Sequence, residues 1–362
     1  MHPLTKPVDT MANYIKKDSF LERKIPVYWL LIALLIPTIG CIVLATRKTT
    51  IVASEAQPCD VYSSLTNARI QTYEFARPLL YYDVINEDSR LADVKSKIEA
   101  FIEQKKREGA LSTASVYLRK GGGWIAINQD EQYSPASLEK VPILITYLKD
   151  VERDPALLNK QIFFEHHFGE LPKQNIKVFS LVEKKYYSIK ELLHAMIAYS
   201  DNDALNLLFQ NMNNATFKQL YVDLKLEIPD LSIDVYKISV VNYSKFFRIL
   251  INATYLSNDL SEMALKMLTE CTYKDGITKD FDDKVKVAHK FGERAWPDRK
   301  ELHEFGIIYR GRKAYIIGIM TRGKDFKQLS EVLSGISDIV YKDSTPETSS
   351  GYQTGPPMAA AK

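Results

Sequence analysis

The sequence predicts an α+β fold: an antiparallel sheet of about five strands flanked by terminal helices, an all-helical lobe hung from one side, and one transmembrane helix ahead of both. Three observations carry that expectation. Strand-like runs fall in two separated blocks, one before residue 137 and one after residue 278. The chain between them repeats its apolar residues at helical spacing. Residues 25–46 hold no charged side chain, and that length is enough to cross a hydrocarbon core of about 30 Å as a helix.

Taken in order, residues 1–24 are polar, carry Lys6, Lys16, Lys17, Arg23 and Lys24, and read as a cytoplasmic tail. The apolar run from Val27 through Leu44 closes at Arg47 and Lys48. An uncleaved anchor fits it better than a signal peptide, whose apolar core is shorter and ends in a small-residue exit site. A lipoprotein site at Cys41 fits less well too, because the apolar run continues past the cysteine. Basic residues flank both ends, so the positive-inside bias is modest; it places the N-terminus inside and the domain beyond outside the cytoplasm. Residues 47–72 read as a stalk, and the aromatic stretch Tyr73–Tyr82 as a segment that docks on the folded domain, residues 73–342.

Within that domain, Leu91, Val94, Ile98, Phe101 and Ile102 recur at helical spacing behind the capping candidates Asp88 and Ser89. Ala114–Leu118 and Trp124–Ile127, joined through Lys120-Gly121-Gly122-Gly123, predict a hairpin. The helical lobe follows, about residues 137–278, with a polar break at Tyr199-Ser200-Asp201-Asn202. Strands are predicted again at Val285–Gly292, Glu304–Tyr309 and Ala314–Met320, the last two joined by a turn at Arg310-Gly311-Arg312. A closing helix puts Phe326, Leu329, Val332, Leu333, Ile336 and Ile339 on one face. The tail, 343–362, is rich in Ser, Thr, Pro and Gly and reads as disordered.

The chain has 362 residues, 46% of them hydrophobic, which is enough for a substantial core. Its net charge of +3 shows no basic stripe with interleaved aromatics, so nucleic acid is not an expected partner. Cys41, Cys59 and Cys271 lack the paired spacings of a zinc site, and neither a metal nor a cofactor is expected. Cys59 and Cys271 could bridge if the domain lies outside the cytoplasm. Glu165-His166-His167 lacks the order of a helical zinc motif, and His194, His289 and His303 lack the G-x-S-x-G elbow of a Ser-His-Asp site.

The chemistry centres on Ser134-Pro135-Ala136-Ser137-Leu138-Glu139-Lys140, where a Ser-Pro pair opens into an apolar helix. Ser137 falls at the helix mouth, where unpaired N–H groups favour a developing anion. Lys140 shares its face three residues on. In a dry pocket a lysine amine loses proton affinity and can take the hydroxyl proton. The same residues also suit a helix cap and a solvated lysine, so partner motifs must decide. Ser200-Asp201-Asn202 lies at the break between two helices, and it also suits an N-cap for a helix starting near Asp203. Lys290-Phe291-Gly292 ends an apolar strand, with a fixed cation and a glycine that would let an extended ligand lie along the edge.

The order S-x-x-K, S-D-N, K-x-G resembles the penicillin-interactive serine hydrolases, the class A β-lactamase group and related penicillin-binding proteins, over roughly Tyr73 to Lys342. The resemblance implies Ser137 as acylated nucleophile and Lys140 as its base or proton relay. It implies Ser200 as proton donor to the leaving nitrogen, Asn202 as a contact to the substrate amide, and Lys290 as the cation for its carboxylate. Backbone N–H groups of Ser137 and Glu293 would form the oxyanion hole. Two departures stand out. The family's Thr or Ser between lysine and glycine is Phe291, for which Arg294 is the candidate replacement. Glu227 is the nearest candidate for the deacylating glutamate, without the Glu-x-x-Leu-Asn form. The resemblance therefore implies a membrane-anchored peptidase acting on D-Ala-D-Ala cell-wall peptides and trapped by β-lactams. A true β-lactamase and a non-catalytic wall-binding module are the alternatives.

Overall fold

The computed structural model describes residues 74–76, 86–168, 179–230, 236–311 and 313–343. The expected cytoplasmic tail, anchor and stalk lie outside them, as do residues 344–362 of the expected disordered tail. Among the described residues no helix is long and apolar enough to cross a membrane.

The chain enters the domain through Phe75, buried in edge contact with Tyr309, their ring centroids 5.4 Å apart. The Glu262 carboxylate accepts the N–H groups of Phe75 and Ala76 at 2.8 and 2.6 Å. Helix α1, Ala92–Arg107, follows a 3-10 turn capped by Asp88, and buries Val94, Ile98 and Ile102. Strands β1 (Thr113–Lys120) and β2 (Gly123–Ile127) form the hairpin that the glycine run predicts, with Gly121 and Gly122 at positive φ. The short strand β3, Gln132–Tyr133, leads into a 3-10 turn, Ala136–Glu139, and helix α2, Lys140–Val151.

A small hairpin, β4 (Gln161–Phe164) and β5 (Lys185–Ser188), precedes α3, Ile189–Ala198, which opens on a capping box between Ser188 and Glu191. Helices α4 (Asn202–Asn211), α5 (Asn214–Asp223), α6 (Val240–Ile251) and α7 (Asn258–Thr269) complete the lobe. Between α5 and α6, β6 (Ile238–Ser239) pairs with β3. Strands β7 (Lys286–Ala295), β8 (Lys300–Arg310) and β9 (Lys313–Gly323) and helix α8 (Phe326–Lys342) close the domain.

The five-stranded sheet is antiparallel throughout its pairings, in the order β2-β1-β9-β8-β7. The first and last blocks of the sequence thus meet at β1 and β9, and β7 becomes an edge. Each face buries its own core. One packs Val116, Leu118, Ile308, Ile317 and Ile319 against α1 and α8; the other packs Tyr117, Phe305 and Ile307 against the helical lobe. That two-sided burial explains why the late strands read as near-continuous apolar runs.

Candidate active site

Ser137 is presented by a turn whose shape is imposed from outside. Ala136 adopts φ 49°, a left-handed conformation costing an L-residue about 1–2 kcal/mol, which persists only where surrounding contacts over-determine it. Strand β8 supplies them. The Glu301 carboxylate accepts the Ser134 N–H at 3.1 Å, and His303 Nε2 donates to the Ser134 carbonyl at 3.0 Å. His303 Nδ1 accepts the Thr321 N–H at 3.1 Å, which fixes the imidazole proton on Nε2. From α6, the Tyr243 hydroxyl donates to the Leu138 carbonyl at 2.8 Å.

Edge strand β7 approaches the same turn at Gly292. A Cβ there would stand 2.6 Å from the Pro135 carbonyl oxygen and 3.1 Å from the Leu138 nitrogen. The glycine expected to make room for a ligand makes room for the chain's own Ser137 turn. That contact was invisible in the sequence because it joins segments more than 150 residues apart.

Lys140 is wholly buried at the start of α2. Its amine lies 2.9 Å from Ser137 Oγ, 2.6 Å from the Ser200 carbonyl oxygen, 3.1 Å from Ser200 Oγ and 2.7 Å from Asn202 Oδ1. The break that carries the last two is tightly built. Ser200 sits at φ 55°, Asp201 Oδ1 accepts the Ala204 N–H at 2.7 Å, and Asn202 is the first residue of α4. The cap is therefore Asp201, and the helix starts one residue before the expected Asp203. Asp203 instead turns its carboxylate to His167 Nδ1 at 2.7 Å and to the Phe168 N–H at 3.0 Å.

Lys290, equally buried on β7, donates to Ser200 Oγ at 2.9 Å and to the Phe291 carbonyl at 2.9 Å. Ser137, Lys140, Ser200, Asn202 and Lys290 thus converge through one hydroxyl and one amine. Burial, then the like charge of Lys290, holds the Lys140 amine well below lysine's usual range. Burial also draws Lys290 down, to about 8, against the upward pull of Cys271, Glu304 and Glu293. Two cations bound to one oxygen, and so no more than about 6 Å apart, repel by about 3 kcal/mol even at an effective dielectric of about 20, so the pocket favours one protonated amine and one neutral one. A neutral amine beside Ser137 is a base; a charged one beside Ser200 is an anion site.

The remaining candidates take different places. Glu293 pairs with Leu302 on the edge strand and is partly exposed. Arg294 Nη1 donates to Ser134 Oγ at 3.3 Å and its guanidinium lies 5.1 Å from the Trp296 ring, at the base of the Ser137 turn. Glu227 lines a cavity of about 420 Å³ with Asp230, Tyr236, Lys237 and Asn242, and is not among the hydrogen-bond partners of Ser137 or Lys140. Phe291 is 2% exposed, packed on Tyr273 at 4.5 Å, with the Lys290 amine 4.3 Å from its ring centroid. Where the related motif offers a hydroxyl, this chain offers an aromatic face to the ammonium.

Sequence reasoning missed a second buried group behind Lys290. His289 Nδ1 lies 2.7 Å from Glu304 Oε1, both side chains wholly buried, and Cys271 is a free, buried thiol; its possible partner Cys59 lies outside the described residues. The signal was present only as cross-strand register: His289, Phe291 and Glu304 share one face, and nothing in the linear pattern pairs them. Of the other histidines considered, His303 serves Ser134 and His194 meets Glu270 at 2.7 Å; neither reaches a serine hydroxyl.

A family model described as the beta-lactamase enzyme family matches residues 93–343. Among curated proteins, none matches the chain. Solved structures with the same fold include a beta-lactamase from Sphaerobacter thermophilus, 16% identical, covering 68% of this chain and 95% of that one at a TM-score of 0.57. PBP-A is 17% identical, covering 71% and 98% at 0.58, and the TLA-1 extended-spectrum beta-lactamase is 15% identical, covering 70% and 98% at 0.60. At such identities the likeness is one of fold.

Proposed function

Because the chain belongs to the beta-lactamase enzyme family, we propose that it is a serine acyl hydrolase or transferase of the penicillin-binding type, acting on D-alanyl-D-alanine cell-wall peptides and acylated by β-lactams. The observation that carries this reading is the buried Lys140 amine at 2.9 Å from Ser137 Oγ, within reach of Ser200 and Asn202. The neutral amine takes the hydroxyl proton while Oγ bonds the substrate carbonyl carbon. Backbone N–H groups of Ser137 and Glu293 meet the oxyanion, each such donor being worth about 100- to 1,000-fold in rate. Ser200, bridging both amines, hands its proton to the leaving nitrogen as the C–N bond breaks and takes in exchange the proton that Lys140 holds, which leaves that amine neutral again. Asn202 binds the substrate amide and Lys290 its carboxylate. Water or another amine then displaces Ser137 from the ester and restores its O–H.

Ester release is the step that separates the readings. The partners of the Lys140 amine are hydroxyl, carbonyl and amide oxygens, none of them a carboxylate, and Glu227 lies in a separate lining. On this proposal no carboxylate among the described residues activates the water, so the acyl-enzyme persists and a β-lactam acts as a trap. On the same proposal the uncharged segment 25–46 anchors the chain in the plasma membrane with the domain outside the cytoplasm.

The test is to incubate the protein with a reporter penicillin and follow covalent mass and ring opening together. A lasting adduct that is lost in Ser137→Ala supports the proposal. Rapid turnover makes the protein a true β-lactamase, and no adduct makes it a non-catalytic wall-binding module. For the topology, protease added to intact cells is expected to cut beyond Arg47, and full protection overturns it.

A further inference from the structure

Past the Ser137 turn, edge strand β7 ends in a tip that gathers two arginines around one indole. The Trp296 N–H donates to the Arg299 carbonyl at 2.8 Å and closes the turn between β7 and β8. The Arg294 guanidinium lies 5.1 Å from the Trp296 ring centroid and that of Arg299 lies 4.3 Å from it, so one partly exposed ring holds both cations. Lys300 adds a third positive charge, its amine 5.0 Å from the Phe326 ring. Between 293 and 300 the carboxylates are Glu293 and Asp298. Asp298 meets Arg299 at 3.2 Å with 72% of its side chain exposed, a pairing that solvent weakens. Glu301, opposite Arg294 on β8, is already held by Arg322 at 2.8 Å and by the Ser134 N–H.

The strand joins this tip to the reacting groups. Side chains alternate along β7, so Lys290, Gly292 and Arg294 share one face. Lys290 reaches Ser200 Oγ, Gly292 abuts the Ser137 turn, and Arg294 Nη1 reaches Ser134 Oγ at 3.3 Å. Peptide groups alternate as well. The Phe291 carbonyl turns to the Lys290 amine at 2.9 Å, so those of Glu293 and Ala295 face the same open edge, where an extended peptide can pair.

We propose that Arg294 and Arg299, stacked on Trp296, form a specificity subsite for a second carboxylate of the substrate, carried on the side chain of the residue before the D-alanyl-D-alanine pair. This rests on the reading above, in which the terminal carboxylate meets Lys290 and the scissile carbonyl meets Ser137 and Glu293. The substrate's acyl side then runs from Lys290 toward Arg294, antiparallel to β7. Over those four residues the strand advances about 13 Å, three to four residues of extended chain. The side chain of the residue before the pair therefore comes within reach of the two guanidiniums. Stacking on an indole leaves guanidinium N–H edges for hydrogen bonds, and a carboxylate takes two of them in parallel. An ammonium on the same side chain would meet like charge and be turned away.

The test uses the full chain carrying Ser137→Ala, which cannot be acylated, and three peptides: acetyl-glutamyl-, acetyl-glutaminyl- and acetyl-lysyl-D-alanyl-D-alanine. Calorimetry at low and high salt reads their binding. The glutamyl peptide is expected to bind about fivefold more tightly than the glutaminyl one, with the lysyl peptide weakest, and added salt is expected to shrink the difference. Adding Arg299→Gln, and then Arg294→Gln with it, is expected to remove the preference while the glutaminyl affinity holds. A purely structural role for the tip would weaken all three peptides alike. Equal binding of the glutamyl and glutaminyl peptides, binding of neither, or a preference that survives both substitutions overturns the subsite; should the double variant fail to fold, Arg299→Gln decides alone. The native protein with the reporter penicillin separates this from the hydrolase reading. A lasting adduct without a glutamyl preference removes the subsite and keeps the hydrolase, whereas a preference without an adduct keeps the subsite and removes the hydrolase.

Discussion

The Lys140 amine donates to Asn202 Oδ1 at 2.7 Å, so the first residue of α4 sets the polarity felt by the group beside Ser137. Exchanging that amide oxygen for a carboxylate would stabilise the ammonium, the wrong form for a base. Asn202→Asp is expected to fold, to keep its Tm within a few degrees, and to form the Ser137 adduct at neutral pH at least about tenfold more slowly. Acylation as fast as in the native protein would show that Lys140 is not the base.

Acylation should rise and then fall with pH. The rising limb follows deprotonation of Lys140, which burial and Lys290 place well below lysine's usual range. The falling limb follows loss of the Lys290 proton at about 8, when the carboxylate loses its cation. Single-turnover adduct formation measured from pH 5 to 10 checks both limbs, and a rate that keeps climbing past pH 10 contradicts the assignment of Lys290.

Stability carries a separate pH signature from His289. Its pKa is raised from 6.5 to about 9 in the folded chain, so its contribution is fully present below 6.5 and is lost as pH rises through 9. Lys290 runs the other way: lowered from 10.5 to about 8, it costs stability below 8, and that cost fades as pH rises toward 10.5. In His289→Gln the decline of Tm between pH 6.5 and 9 should flatten relative to the native protein; parallel curves would mean the imidazole is neutral.

Gly292→Ala places a methyl group 2.6 Å from the Pro135 carbonyl. Backbone cannot step aside as a side-chain tip can, so the turn carrying Ser137 must shift. Adduct formation is expected to fall at least about tenfold, since small displacements of reacting atoms are costly in rate, while Tm falls by only a few degrees. Circular dichroism and adduct mass on the same sample separate the two effects.

Restoring the related motif's hydroxyl with Phe291→Thr is expected to harm the protein. The ring is buried against Tyr273 and beneath the Lys290 amine, and truncating such a side chain costs about 3 kcal/mol. Urea denaturation should show that loss; a neutral or stabilising effect would mean the pocket around Phe291 collapses around the smaller residue.

Much of this protein was decided by local sequence. Period and turn chemistry gave the hairpin over Lys120–Gly123, the late strands and the helix after Asp325, because each depends on residues a few positions apart. The three short motifs around Ser137, Ser200 and Lys290 were legible for the same reason. What the linear order left open is whatever depends on pairs brought together from more than 100 residues away: Gly292 against Pro135, Glu301 and His303 clamping Ser134, Tyr243 on Leu138. The charge of Lys140 and Lys290 belongs to that second group as well. A lysine's proton affinity is set by the solvent it loses and the charges it meets, and only folding brings two buried amines to one serine oxygen.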